Sequence, residues 1–301
     1  MLTSRILTEA VGPFEGLGLF SGLPTSVVIQ PGQGDGVIRF TSPDGSAATP
    51  AHWSRLTTDT SWSGLPKGVP IRNTTLRADD GSRIFATIEH LMAALAGLGI
   101  LDATVVLDGP EVPILDGSAL PFVEALWPHL GPSPRAPKML AVRADVRVDE
   151  RDTFITAAAL ATPADQEMGR VYTLDYGAGS PLRPHAAAWD GSAEAFMATI
   201  APARTFSMRA EAQAAQALGL FAAFTPRDLP IVGDDGRLID NAWRFEGEAA
   251  AHKLLDLIGD LALVGRPIAG RIEATRSGHA LTHRLCGRIL ALDADPASMV
   301  P

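Results

Sequence analysis

Two related α+β halves are the fold class this sequence predicts. Three observations carry that expectation. Residues 128–137 (PHLGPSPRAP) hold four prolines and no apolar periodicity, which suits a linker. On each side of it the chain runs from strands to a helix bearing a histidine and on to a further strand. The 301 residues are 46% hydrophobic and 20% charged, enough for two domains of ordinary size with a sizeable core. The expected domains are residues 1–130 and 138–301.

The elements follow in order. Residues 26–30 (SVVIQ) and 36–41 (GVIRFT) are rich in β-branched residues and read as strands. Residues 83–97 read as a helix, and 103–107 as the strand after it. Beyond the linker, 139–148 (MLAVRADVRV) alternates like a strand, and 153–160 and 169–176 are further strands. Helices are expected over 193–200 and 208–217, and a long one over 246–264. A strand at 268–274 and a helix at 282–292 close the chain.

Composition excludes several functions. A net charge of −9 argues against nucleic acid as the main partner. With Cys286 as the single cysteine there is no internal disulfide framework and no cysteine-rich zinc site, and a reducing compartment, the cytoplasm, is expected. Residues 1–10 do not read as a secretory signal, and no apolar run reaches the length of a membrane span.

The chemistry concentrates in histidines. His252 and Asp256 stand at i and i+4 of a predicted helix, one above the other on one face, where both can reach one point. Two readings stand: two ligands of a metal, or a hydrogen-bonded pair on an exposed face. His90, at the start of a strongly apolar helix, could supply a third ligand from the other half, with Glu89 beside it as a base. The alternative is a packed histidine beside a solvated glutamate. Lys253 lies about 100° around the helix from His252, placed to flank a site rather than to ligate. His279 follows a strand in Ser277-Gly278-His279, where Gly278 permits a sharp turn. It is either a general acid for a leaving amine or a loop histidine without a role.

Five ordered segments resemble one family. Thr87-Ile88-Glu89-His90-Leu91 with Ala93-Ala94-Leu95-Ala96-Gly97-Leu98-Gly99-Ile100 is similar to a motif of the UDP-3-O-acyl-N-acetylglucosamine deacetylases, the zinc amidases of lipid A synthesis. So are Glu111-Val112-Pro113-Ile114-Leu115-Asp116-Gly117-Ser118-Ala119 with Pro121-Phe122, and Ala203-Arg204-Thr205-Phe206. So too are His252-Lys253-Leu254-Leu255-Asp256 through Leu261, and Ser277-Gly278-His279-Ala280-Leu281. The resemblance spans residues 16–285. It implies two α+β domains, each a sheet layer with helices, packed so that the helices lie sandwiched between the two sheets.

It also implies roles. His90, His252 and Asp256 would bind Zn2+, with Fe2+ an alternative that suits the same donors. Glu89 would be the general base for the attacking water. His279 would steady the oxyanion and protonate the departing amine. Lys253 and Thr205 would polarise the amide carbonyl. The substrate would be a UDP-linked acylated amino sugar, its acyl chain lying in a passage formed near residues 208–224. A monomer is expected.

The sequence departs from the family pattern mostly away from the metal. Phe20 stands where histidine is usual, and Arg151-Asp152-Thr153 lacks the usual lysine. Residues 176–178, 224–230 and 247–251 also differ. These departures leave room for a related deacetylase acting on another N-acyl amino sugar or amide. A zinc-binding regulatory protein without turnover is the third reading.

Overall fold

The computed structural model describes residues 3–64, 71–160 and 168–294. The outermost ends expected for the two domains, 1–2 and 295–301, lie outside the described residues. The first half contains β1 (Val11–Leu17), β2 (Pro24–Pro31), β3 (Ile38–Thr41) and β4 (Ala48–Pro50). Helix α1 (Glu89–Gly97), strand β5 (Ala103–Asp108) and helix α2 (Leu120–Leu126) follow. The second half contains β6 (Leu140–Ala141), β7 (Val146–Glu150), β8 (Thr153–Ala157), β9 (Met168–Leu174) and β10 (His185–Trp189). Helices α3 (Arg209–Ala217) and α4 (Glu248–Leu261), strand β11 (Ile268–Thr275) and helix α5 (His279–Ala294) complete it. This is an α+β chain.

The two main sheets share one topology. The first is ordered β1-β2-β5-β3-β4 and the second β7-β8-β11-β9-β10, with β6 beside β11. In each, the last strand to arrive takes the centre. β5 runs antiparallel to β2 and parallel to β3; β11 runs antiparallel to β8 and parallel to β9. A parallel neighbour needs a long crossover, and α1 and α4 each precede a central strand in that way. On this repeat we propose the domain division 1–130 and 138–301.

The strands alternate as half-buried strands must. In β9 every second residue from Met168 to Leu174 is buried, and β5 does the same from Ala103 to Leu107. Apart from Arg170, their inward side chains join one hydrophobic core with those of α1 and α4. Helices α1 and α4 pack on each other, and α4 also packs on β9 and β10. Burying Leu254 and Leu255 of α4 completely contributes roughly 2 kcal/mol each.

Several elements differ from expectation. The helix expected over 83–97 begins only at Glu89: Ile84–Phe85 pairs as a short strand, and Thr87 has φ 53°, which no helix continues through. The strand expected over 139–148 is two strands, each pairing with a different neighbour. The helix over 193–200 is one α turn followed by a π turn at Phe196–Ile200. The proline-rich stretch is partly ordered, since Leu130–Pro132 pairs antiparallel with Arg5–Leu7. β1 was not among the expected strands, and Gly12 and Pro13 break its alternation. The structure makes them an irregularity in the register between Val11 and Phe14 of a sheet-edge strand.

The crossing of α1 and α4 is set by Gly259. A Cβ there would lie 2.1 Å from the carbonyl oxygen of Glu89 and 3.2 Å from the amide nitrogen of Ala93. Backbone cannot give way as a flexible side chain can. Gly259→Ala is therefore expected to destabilise the fold by about 2 kcal/mol or more, as overpacking does. Chemical denaturation would read this as a lower midpoint with an unchanged slope. A midpoint like that of the unmutated protein would mean the helices have slack that this close approach denies them.

Candidate metal centre

The close crossing brings the start of α1 against the middle of α4. His90, on the first turn of α1, meets His252 and Asp256 on one face of α4. The two imidazoles stand edge to face with ring centres 4.9 Å apart. Oδ1 of Asp256 lies 3.6 Å from Nε2 of His90 and 3.4 Å from Nε2 of His252. All three residues are buried, and their ligand atoms lie within 4.8 Å of one another. The structure thus gathers the three predicted ligands at one point.

The donor set suits a divalent cation. Nδ1 of His252 is 3.1 Å from the carbonyl oxygen of Ala203, so it carries the proton and leaves the lone pair of Nε2 facing the cluster. Burial disfavours the imidazolium and pushes the His252 pKa down to about 3, so the ring is neutral at pH 7. At Asp256 burial acts the other way. The cations facing it, Lys253 first, outweigh burial and hold the carboxyl well below the usual carboxylate range. Two histidine nitrogens and one carboxylate are the ligand pattern of a catalytic zinc site, with a coordination position left open.

Lys253 is nearer the centre than helical rotation suggested. Its Nζ reaches Asp256 Oδ2 at 2.9 Å across an i,i+3 spacing and sits 5.9 Å over the Phe206 ring. A long flexible stem covers the angular gap that its Cα position implies.

Glu89 lies on the other side of the cluster. Its Oε2 accepts the amide proton of Thr74 at 3.0 Å, and its Oε1 faces Nε2 of His279 at 4.0 Å. Burial raises its pKa above that of an ordinary glutamate, against the pull of His279 and His90. His279 opens helix α5 rather than standing in a loop. The sharp turn before it falls on Arg276, with φ 54°, and not on Gly278. Burial alone would strip the His279 proton. Asp260, then Glu89 and Asp256, more than offset this and push the pKa up to about 10.

Three residues around His279 had no role assigned from sequence. Asp260 Oδ2 accepts from His279 Nδ1 at 2.8 Å, which aims Nε2 at Glu89. Asp260 also faces His283 Nε2 at 3.4 Å and accepts from the Thr74 hydroxyl. With His279 and His283 it forms a second gathering of ligand atoms within 4.8 Å. The signal was present: Asp260 stands one further i+4 step along the face that carries His252 and Asp256.

Thr205 is held through its amide, which donates to the Gly117 carbonyl at 2.7 Å. Beside it, Arg204 makes a buried ion pair with Glu248 at 2.7 Å, tying the segment to the first turn of α4. Thr205 also lines a cavity of about 60 Å³ with Leu19, Ala212, Phe221 and Phe224, to which α3 and the residues after it contribute. Phe20 packs against Phe221 at 5.4 Å and Trp62 at 6.5 Å, so this departure from the family pattern adds to an apolar wall.

The sequence is similar to those of known proteins. Residues 6–291 match the family model described as UDP-3-O-acyl N-acetylglycosamine deacetylase. The UDP-3-O-acyl-N-acetylglucosamine deacetylase of Geobacter sp. (strain M21) is 34% identical over 284 residues, covering 92% of this chain and 86% of its own. Its counterpart in Anaeromyxobacter dehalogenans (strain 2CP-C) is 35% identical over 291 residues, 94% of this chain and 85% of its own. That of Pasteurella multocida (strain Pm70) is 33% identical over 297 residues, 97% and 91%.

Proposed function

The chain belongs to the UDP-3-O-acyl N-acetylglycosamine deacetylase family. On that premise we propose that it hydrolyses the N-acetyl group of UDP-3-O-acyl-N-acetylglucosamine, releasing acetate, in lipid A biosynthesis. The observation that carries this reading is one buried point where His90, His252 and Asp256 converge, flanked by a carboxylate and a histidine cation.

The residues divide the work. Zinc, or iron, held by His90, His252 and Asp256 would supply Lewis acidity toward the amide and the attacking water. Glu89 accepts the proton of that water. Its burial suits the task, because a base works best when its pKa approaches the operating pH. The Thr74 amide fixes one carboxylate oxygen and leaves the other free toward the site. Lys253 and Thr205 would stabilise the charge that develops on the carbonyl oxygen. His279 carries its proton on Nε2 toward Glu89, held there by Asp260, and delivers it to the departing amine. The apolar wall of Phe20, Phe221 and Phe224 receives the acyl chain.

The substrate reading is tested by incubating metal-loaded protein with UDP-3-O-acyl-N-acetylglucosamine and measuring acetate. Stoichiometric release with turnover is expected. Bound metal without acetate from this substrate, but with release from another N-acyl amino sugar, would assign the chain a different substrate. No helix among the described residues is long and apolar enough to cross a membrane. The cytoplasm suits a nucleotide-linked substrate and a chain with a single, buried free cysteine.

A further inference from the structure

The C-terminal ends of α1 and α4 border a cavity of about 330 Å³ that none of the proposed catalytic or metal-binding residues lines. Its walls are apolar, with Ile100, Trp189, Ile258, Leu261, Val264 and Ile268 among them, and they come from both halves of the chain. The volume falls at the lower end of the roughly 300–1,000 Å³ typical of small-molecule sites.

Arg170 of β9 also lines this cavity, and it is only 2% exposed. Nη1 donates to the carbonyls of Gly169 at 2.9 Å and Gly270 at 2.7 Å, and Nη2 donates to that of Ile268. Those bonds fix the guanidinium in place without neutralising it. Among the described residues no carboxylate pairs with Arg170 and none accepts from its Nε. Burial lowers its pKa, with no acid opposing, to about 10, so it remains a cation at pH 7. The other arginine on the wall, Arg266, is different: it pairs with Asp293.

A buried cation without a counter-ion is costly unless something compensates it. An anion entering the cavity would do so. The rest of the wall asks for an apolar tail on that anion. Three of its five N–H groups donate to carbonyls, which leaves Nε–H and one Nη2–H beside the charge. That suits a monoanionic carboxylate better than a phosphate, which needs several donors.

We propose that this cavity binds a medium-chain monocarboxylate amphipath, its tail against Trp189, Leu261 and Ile268 and its carboxylate beside Arg170. The site is separate from the apolar wall at Phe221 and shares helix α4 with the metal centre.

Calorimetric titration of the metal-loaded protein with decanoate, 1-decanol and decylamine tests this. Decanoate is expected to bind one to one and to change the tryptophan fluorescence through Trp189. Decanol should bind at least tenfold more weakly, and decylamine not at all. Ala262→Trp, which fills the cavity from the end of α4, should remove decanoate binding. Arg170→Met should erase the preference for decanoate over decanol. If that variant does not fold, the comparison of ligands on the unmutated protein and the Ala262→Trp result still decide. Equal affinity for decanoate and decanol, decanoate binding unchanged by Ala262→Trp, or no binding of decanoate would each overturn the proposal.

Discussion

Replacing Glu89 with glutamine is expected to leave the metal bound and to remove nearly all turnover. Glutamine keeps the shape of the side chain, and its carbonyl oxygen can still accept the Thr74 amide proton that Glu89 accepts at 3.0 Å. The amide cannot take a proton from water. General-base catalysis typically contributes roughly 10²–10⁴-fold, and kcat should fall by that factor with KM little changed. A second effect works in the same direction. Glu89 is one of the acids that keep His279 protonated, so a neutral side chain weakens the proton donor as well as the base. Acetate release and metal content, measured on one preparation, separate the two roles of this face of α1. A variant with full metal and an unmutated kcat would remove Glu89 from the chemistry.

The pairing of His252 with Asp256 was legible because its signal is local, but the spacing fitted a hydrogen-bonded pair as well, and the family resemblance named them ligands. His252 and Asp256 are an i,i+4 pair within one helix, and a helix fixes the relative position of such residues whatever surrounds it. His90 needed more, since nothing in its own segment says which helix it meets. That meeting depends on Gly259, whose missing side chain lets the Glu89 carbonyl approach α4. The glycine was visible in the sequence, yet its role appears only when both helices are placed.

Other parts of the site rest on contacts too long-range to read. Glu111, inside a motif that resembles the family, is fully buried and binds the amides of Phe20 and Ser21 and the Thr87 hydroxyl. It braces the left-handed residue just ahead of Glu89 and touches no reacting group. Asp116, five residues on, pairs with Arg244 at 2.7 Å and so ties the first half to the approach to α4. Neither carboxylate had a role assigned from sequence beyond its place in a motif. Their partners lie near in space and far in sequence, and those partners make them scaffold. Arg204 and Glu248 follow the same rule, 44 residues apart and joined in the core.

His252→Ala is expected to lose metal and activity together. His252 contributes a neutral nitrogen whose direction is set by the Ala203 carbonyl, and alanine offers no replacement donor. Losing only an outer hydrogen-bonding partner of a ligand typically costs roughly 10–100-fold in metal affinity, and losing the ligand itself should cost more. The protein should emerge from dialysis nearly free of metal and fail to release acetate. Truncating a buried imidazole also leaves a void and takes the partner from the Ala203 carbonyl, so the variant should unfold at a lower temperature than the unmutated protein stripped of metal. The comparison with Glu89→Gln is what gives the result its meaning: one variant keeps metal and loses turnover, the other loses both. Should His252→Ala retain its metal at one ion per chain, the ion would sit elsewhere. The gathering of Asp260, His279 and His283 is then the place to look, and His279 would have to be a ligand rather than a proton donor.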